Sequence, residues 1–237
     1  MLIFPAIDIY EGQAVRLYKG DYTQKTVYAD EPLTVARDFV RRGAACIHMV
    51  DLEGAKNGGT PNFEKIVRVK SETGLFAEVG GGIRDMATVE KYLSSGIDRV
   101  ILGTAAVTDE AFLRAAVDKY GEKIAVGADI RDGFVAIKGW TESSAYGTDE
   151  FCAFLTDIGV KTVICTDISR DGAMRGTNRA LYAGLNEKYP IDFIASGGVS
   201  TIDDVKALAA KGLYGAIIGK AYYTGDIDLS EAIEVAK

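Results

Sequence analysis

The stretch Val79-Gly80-Gly81-Gly82-Ile83-Arg84, continued by Ile101-Leu102-Gly103-Thr104-Ala105, recurs 116 residues further on as Ala195-Ser196-Gly197-Gly198-Val199-Ser200 and Ile217-Ile218-Gly219-Lys220-Ala221. The same offset lays Gly43, Asp51, Asn62, Val89 and Gly96 on Gly159, Asp167, Asn178, Val205 and Gly212. A second register, at 121 residues, pairs Asp8-Ile9-Tyr10-Glu11-Gly12 with Asp129-Ile130-Arg131-Asp132-Gly133. The chain therefore reads as two copies of one half, about 1–122 and 123–237. Half of an α/β layer leaves an apolar face uncovered, so the duplication predicts a single domain over 1–237.

Working outward from the repeat, β-rich apolar runs alternate with amphipathic stretches eight times. Strands are expected at Leu2–Ile9, Cys46–Leu52, Phe76–Gly80, Arg99–Leu102, Ile124–Ile130, Thr162–Ile168, Asp192–Ser196 and Gly215–Gly219. Helices are expected at Leu33–Arg42, Phe63–Thr73, Met86–Ser95, Glu110–Tyr120, Asp149–Ile158, Arg179–Lys188, Ile202–Ala210 and Leu229–Ala236. Pro32 opens the first helix, Gly43, Gly96, Gly159 and Gly212 follow helix ends, and Asn62 and Asn178 stand where N-caps belong. Strands apolar on both faces and separated by helices imply a parallel sheet. Eight such units imply a closed (β/α)8 TIM barrel made of two half-barrels. A doubly wound open sheet is the alternative, and a two-fold repeat fits it less well. Two long connections, about Tyr10 to Glu31 and Arg131 to Thr148, read as loops over the catalytic face; the second carries Trp140, the only tryptophan.

Composition removes several classes of function. A hydrophobic share of 48% with four prolines suits a packed globule. No apolar run approaches a membrane span, and the first residues show no export signal. Cys46, Cys152 and Cys165 have no metal spacing and suit a reducing cytosol, so a cytoplasmic location is expected. A net charge of −7 argues against nucleic acid and leaves any anion grip to local groups. His48 is the only histidine, which rules out a Ser-His-Asp triad and histidine-based metal sites; no metal is expected.

Polar residues at the C-terminal ends of barrel strands are the candidates for chemistry. Asp8 and Asp129 end apolar strands at equivalent places in the two halves, facing each other across the mouth as a potential acid and base. Capping of the turns at Gly12 and Gly133 is the plain alternative. Gly81-Gly82 with Gly103, and Gly197-Gly198 with Gly219, repeat the same 21-residue gap from the second glycine to the third. Glycines there let peptide N–H groups approach an anion, although turns use glycine too. Two such grips on opposite sides suit an elongated small-molecule bisphosphate. Mid-strand, His48 reads more readily as a satisfied polar residue than as a base. Trp140 suits stacking on a planar heterocycle or anchoring its loop equally well.

Taken together, Pro5-Ala6-Ile7-Asp8 with Gly12, Val15-Arg16-Leu17, Lys19-Gly20-Asp21, His48-Met49-Val50-Asp51-Leu52-Glu53-Gly54-Ala55, the two glycine motifs, Gly139-Trp140 and Thr166-Asp167-Ile168-Ser169-Arg170-Asp171-Gly172 resemble the phosphoribosylformimino-aminoimidazole carboxamide ribotide (ProFAR) isomerases of histidine biosynthesis over essentially the whole chain. The resemblance implies a cofactor-free Amadori rearrangement of an aminoaldose phosphate to its aminoketose, with no obligate protein partner. It makes Asp8 the base and Asp129 the acid, with Asp171, beside Thr166, as a rival acid. Gly81, Gly82, Gly103 and Thr104 would hold one phosphate, and Gly172, Gly197, Gly198, Gly219 and Lys220 the other. Arg16, His48, Arg84 and Trp140 would complete the substrate contacts. The sister imidazole-glycerol-phosphate cyclases share the barrel, both aspartates and both grips. They begin with a Cys-Leu-Asp-Val and Val-Val-Lys-Gly pattern, where this chain has Ala6-Ile7-Asp8-Ile9 and Val15-Arg16-Leu17-Tyr18-Lys19-Gly20. A dual isomerase that also takes phosphoribosylanthranilate and a non-catalytic phosphate-binding barrel are the remaining alternatives; retention of Asp8, Asp129 and Asp171 speaks against the latter.

Overall fold

A computed structural model describes residues 1–18 and 20–237; Lys19, part of the opening motif, lies outside the described residues. The strands are β1 (Leu2–Tyr10), β2 (Gln13–Tyr18), β3 (Asp21–Ala29), β4 (Cys46–Asp51), β5 (Phe76–Gly80), β6 (Arg99–Leu102), β7 (Ile124–Arg131), β8 (Phe134–Ile137), β9 (Glu142–Gly147), β10 (Thr162–Asp167), β11 (Asp192–Ser196) and β12 (Gly215–Ile218). Eight of them pair in parallel around a closed circle, β1-β4-β5-β6-β7-β10-β11-β12 and back to β1. The barrel expected from the repeat is thus present, and β1 and β7 stand opposite each other in it.

Period-two alternation within each strand builds two cores. Inward residues such as Phe4, Ala6, Ile101, Ile164, Ile194 and Ile217 fill the barrel. Outward residues such as Ile7, Met49, Val126, Val163 and Phe193 pack against Phe39, Tyr92, Phe151 and Tyr182 of the surrounding helices. Those helices span Pro32–Arg41, Phe63–Thr73, Met86–Ser94, Glu110–Tyr120, Thr148–Ile158, Arg179–Lys188, Ile202–Ala209 and Leu229–Val235, each within one residue of its expected bounds. Side-chain caps fix several starts. Asn178 accepts from the Leu181 amide, and Thr201 forms a capping box with Asp204. Asn62 behaves differently: it makes no side-chain cap and instead donates to Asp51 Oδ1 at 2.8 Å while accepting from the Gly12 amide at 3.1 Å.

The two long connections are not loops but β-hairpins that extend barrel strands above the mouth. β2 pairs antiparallel with β1 through Asp8–Val15, Ile9–Ala14 and Tyr10–Gln13. β8 pairs with β7 through Asp129–Ala136, Ile130–Val135 and Arg131–Phe134, the same register in the second half. Both reversals put two successive residues at positive φ, Glu11 (52°) with Gly12 (73°) and Asp132 (52°) with Gly133 (83°). That is the tight turn whose twist matches paired strands, and Asp-Gly, as at Asp132-Gly133, is a preferred sequence for it. Three short helices, Leu52–Asn57, Thr104–Thr108 and Lys220–Tyr223, also escape the sequence pattern, being too brief to show a period.

The glycine pairs are required by the packing. A Cβ on Gly197 (φ 89°) would lie 2.6 Å from the Asp167 carbonyl oxygen, and one on Gly81 (φ 101°) would collide with the Asp51 carbonyl. On Gly82 and Gly198 it would meet backbone oxygens at 2.6 Å and 2.5 Å. Gly96 (φ 92°) has nothing within 4 Å. Gly197→Ala therefore combines backbone strain with collision, and is expected to lower unfolding stability by about 2–4 kcal/mol. Gly96→Ala carries only the strain, about 1 kcal/mol. Urea denaturation midpoints of the two variants check the difference.

Candidate active site

The mouth collects charged groups from five elements. Asp8 ends its inward run at the top of β1, and β2 folds back beside it to bring Arg16 within reach. Arg16 Nη1 donates to Asp8 Oδ2 at 2.9 Å, both side chains being mostly buried. The same guanidinium lies against the Cα of Gly219, so that a Cβ there would strike it. Burial opposes its charge, but Asp8 first and then Asp171, Tyr223 and Tyr28 hold its proton above the ordinary arginine range.

Across the barrel, Asp129 is held by different neighbours. Burial pushes its proton affinity up, and hydrogen bonds from the Trp140 indole and the Thr166 hydroxyl, with the nearby His48 ring, work against that rise. Thr166 is buried at the top of β10 and is the register partner of Asp129. Asp171, in the connection after β10, is also pushed up, first by burial and then by the negative charges of Asp8 and Asp129; Arg16 and Lys220 oppose it. Lys220 Nζ donates to the Gly172 carbonyl at 3.1 Å. Asp8, Asp129, Asp171, Thr166, Arg16, Gly172, Gly219 and Lys220 thus gather at the barrel mouth.

The hairpins meet over it. Trp140, at φ 70° in the β8–β9 turn, lays its ring against Gly20 of the β2–β3 turn, where a Cβ would be 3.0 Å away. Such a φ is uncommon for a bulky residue and costs on the order of 1 kcal/mol. On the first-half side, Thr104 Oγ1 accepts from the Lys138 amide at 2.9 Å, tying the second hairpin to the β6 end beside Gly103. The space next to Gly103 is open. Arg84 is exposed and donates to the Ala55 carbonyl at 3.0 Å; it lies beside Gly58.

Two further acids at strand ends have other work. Asp51 accepts from the amides of Gly54 (2.9 Å) and Asn62 (3.0 Å). Asp167 accepts from the Ser169 amide at 2.9 Å and from Asn178 Nδ2 at 2.6 Å. Each closes its own loop onto the next helix, which explains their place in the repeat. Sequence reasoning missed the layer beneath the mouth. His48 Nδ1 lies 2.7 Å from Glu78, and Glu78 pairs with Arg99 at 2.6 Å. Glu78 and Arg99 interrupt apolar strands at inward positions, and that was the available signal.

A closed parallel barrel with acids, a guanidinium and a lysine gathered over the C-terminal ends of its strands defines an enzyme of the (β/α)8 class. A family model described as "Histidine biosynthesis protein" matches residues 2–228. Curated relatives include proteins named 1-(5-phosphoribosyl)-5-((5-phosphoribosylamino)methylideneamino)imidazole-4-carboxamide isomerase. One from Listeria monocytogenes serotype 4b is 51% identical over 235 residues, covering 99% of this chain and 98% of its own. Those from Oceanobacillus iheyensis and Lactococcus lactis subsp. lactis are 47% and 49% identical, with 99% and 98% of this chain covered and 98% of each relative. The chain belongs to this family of histidine-biosynthesis proteins. Among its described residues no helix is long and apolar enough to cross a membrane.

The raised proton affinity of Asp129 has a consequence for stability. Its ionised form is disfavoured in the folded state, so the cost is full above the folded pKa and vanishes below the unfolded one. Asp129→Asn is therefore expected to stabilise the fold near neutral pH by on the order of 1 kcal/mol. The gain should disappear at about pH 3, where the carboxyl is neutral in both states. Unfolding curves at the two pH values check the sign.

Proposed function

We propose that the protein isomerises ProFAR, opening its aminoaldose ring and delivering the aminoketose by an Amadori rearrangement. The observation that carries this reading is the contrast between the two facing aspartates. Asp8 meets a guanidinium, the partner of a carboxylate, whereas burial favours the proton on Asp129. A carboxylate held by a guanidinium and a facing carboxyl whose proton affinity is raised by burial suit base and acid roles. Asp129 gives its proton to the ribose ring oxygen as the C–O bond breaks and a Schiff base forms. Asp8 then removes the C2′ proton, and the resulting enaminol tautomerises to the ketose. Asp171, also raised by burial and set among Arg16, Asp8, Asp129 and Lys220, is the rival acid, and the equivalence of Asp129 with Asp8 in the two halves favours Asp129.

Two anion sites suit the two phosphates of such a substrate. Gly81, Gly82, Gly103 and Thr104 offer one in the first half, with Arg84 at its margin. Gly172, Gly197, Gly198, Gly219 and Lys220, with Arg16 alongside, offer the other. With a net charge of −7 on the chain, these local cations and peptide N–H groups have to supply the attraction. Trp140 and His48 flank the space between the sites, where the aminoimidazole would lie. The same reading makes the protein a cytoplasmic enzyme that works alone, without cofactor.

The purified protein is expected to convert ProFAR, followed by absorbance, with no ammonia or nicotinamide added and no loss on treatment with chelator. Absence of turnover would overturn the reading, and phosphoribosylanthranilate in the same assay measures substrate range. Asp8→Asn should lower kcat by about a hundredfold or more while keeping KM within about tenfold. Asp129→Asn should reduce kcat more than Asp171→Asn; the reverse order would move the acid role to Asp171.

A further inference from the structure

Glu78 lies mid-strand in β5 with its carboxyl wholly buried inside the barrel. Its Oε2 accepts twice from Arg99, from Nε at 3.0 Å and Nη2 at 2.6 Å. Arg99 is itself fixed: Nη1 donates to Thr162 at 3.1 Å, and the guanidinium lies 5.1 to 5.8 Å from the ring centres of Phe76, Phe4 and Tyr214. The other oxygen, Oε1, is 2.7 Å from His48 Nδ1. A carboxylate doubly bound by a guanidinium offers only acceptors. A bare Nδ1 at that distance would set lone pair against lone pair, so Nδ1 must carry a proton.

We infer that Glu78, anchored by Arg99, is a positioning residue that fixes the proton of His48 on Nδ1 and thereby presents a bare Nε2 to the barrel mouth, as acceptor for a hydroxyl or amide N–H of the substrate. The His48 side chain keeps 11% of its surface and Glu78 none, so the open edge of the ring is the one turned away from Glu78. His48 is also close enough to Asp129 to act on its carboxyl, which places both groups at the barrel mouth. The substrate part of this inference rests on the isomerase reading; the tautomer does not.

Glu78→Gln offers a specific reversal. A glutamine has one acceptor oxygen, and Arg99, which only donates, requires it. The amide NH2 then faces His48 and demands a bare Nδ1, moving the ring proton to Nε2. Because His48 is the only histidine, 15N-histidine labelling gives one pair of ring signals to read. In the substrate-free native protein, Nδ1 should be protonated and Nε2 bare; in Glu78→Gln the order should invert. The variant should also lose about tenfold or more in kcat/KM, mostly through KM. In a His48→Ala background, Glu78→Gln should change kcat/KM by less than about twofold.

A proton on Nε2 of the native ring, or on both nitrogens, would overturn the inference without any variant. So would an unchanged tautomer in Glu78→Gln, or an equal kinetic loss in both backgrounds. Native protein that fails to turn over ProFAR would instead remove the isomerase reading and leave the tautomer to the spectra.

Discussion

Between Gly81 and Asp51, and again between Gly197 and Asp167, two backbone segments run so close that no side-chain carbon fits between them. This contact draws the connection after one barrel strand over the end of its neighbour and sets the shape of the mouth in both halves. Asp51 and Asp167 complete the contact by holding the amides and asparagines of their own loops. Glycine pairs that look like anion cradles therefore answer first to packing, and any phosphate contact they make uses a backbone already held in place. Preorganisation of that kind costs nothing at the moment a ligand arrives.

The repeat gives the barrel its two-fold frame, and the chemistry depends on where the halves differ. Asp8 receives a guanidinium from its hairpin, at the position equivalent to Ile137 on the other side. Asp129 receives an indole and a hydroxyl instead. Asp171 stands where the first half has Ala55. One scaffold thus surrounds its two facing carboxyls with unequal neighbours, and burial raises the proton affinity of Asp129.

The barrel strands and outer helices were legible because each carries a clear hydrophobic period and many carry caps. The hairpins show no clear strand period in the sequence, although Asp132-Gly133 carries a turn signal. Residues such as Thr23, Gln24 and Thr26 face solvent above the barrel, so β3 lacks the apolar alternation that marks a half-buried strand. Asp8 and Asp129 could be found from equivalence alone. Arg16 needed the β1–β2 pairing to reach Asp8, and the Glu78–Arg99 layer needed the closed barrel, since its members come from separate strands and meet only inside.

The hydrogen bond from Trp140 to Asp129 joins a proton equilibrium to the position of a hairpin. The indole favours the ionised carboxyl, so lifting the β8–β9 turn from the mouth raises the affinity of Asp129 for a proton. Reciprocity then requires that protonating Asp129 loosens the hold on Trp140 by the same free energy. Hairpin position and acid strength are two readings of a single linked equilibrium, with Gly20 as the surface against which the ring rests.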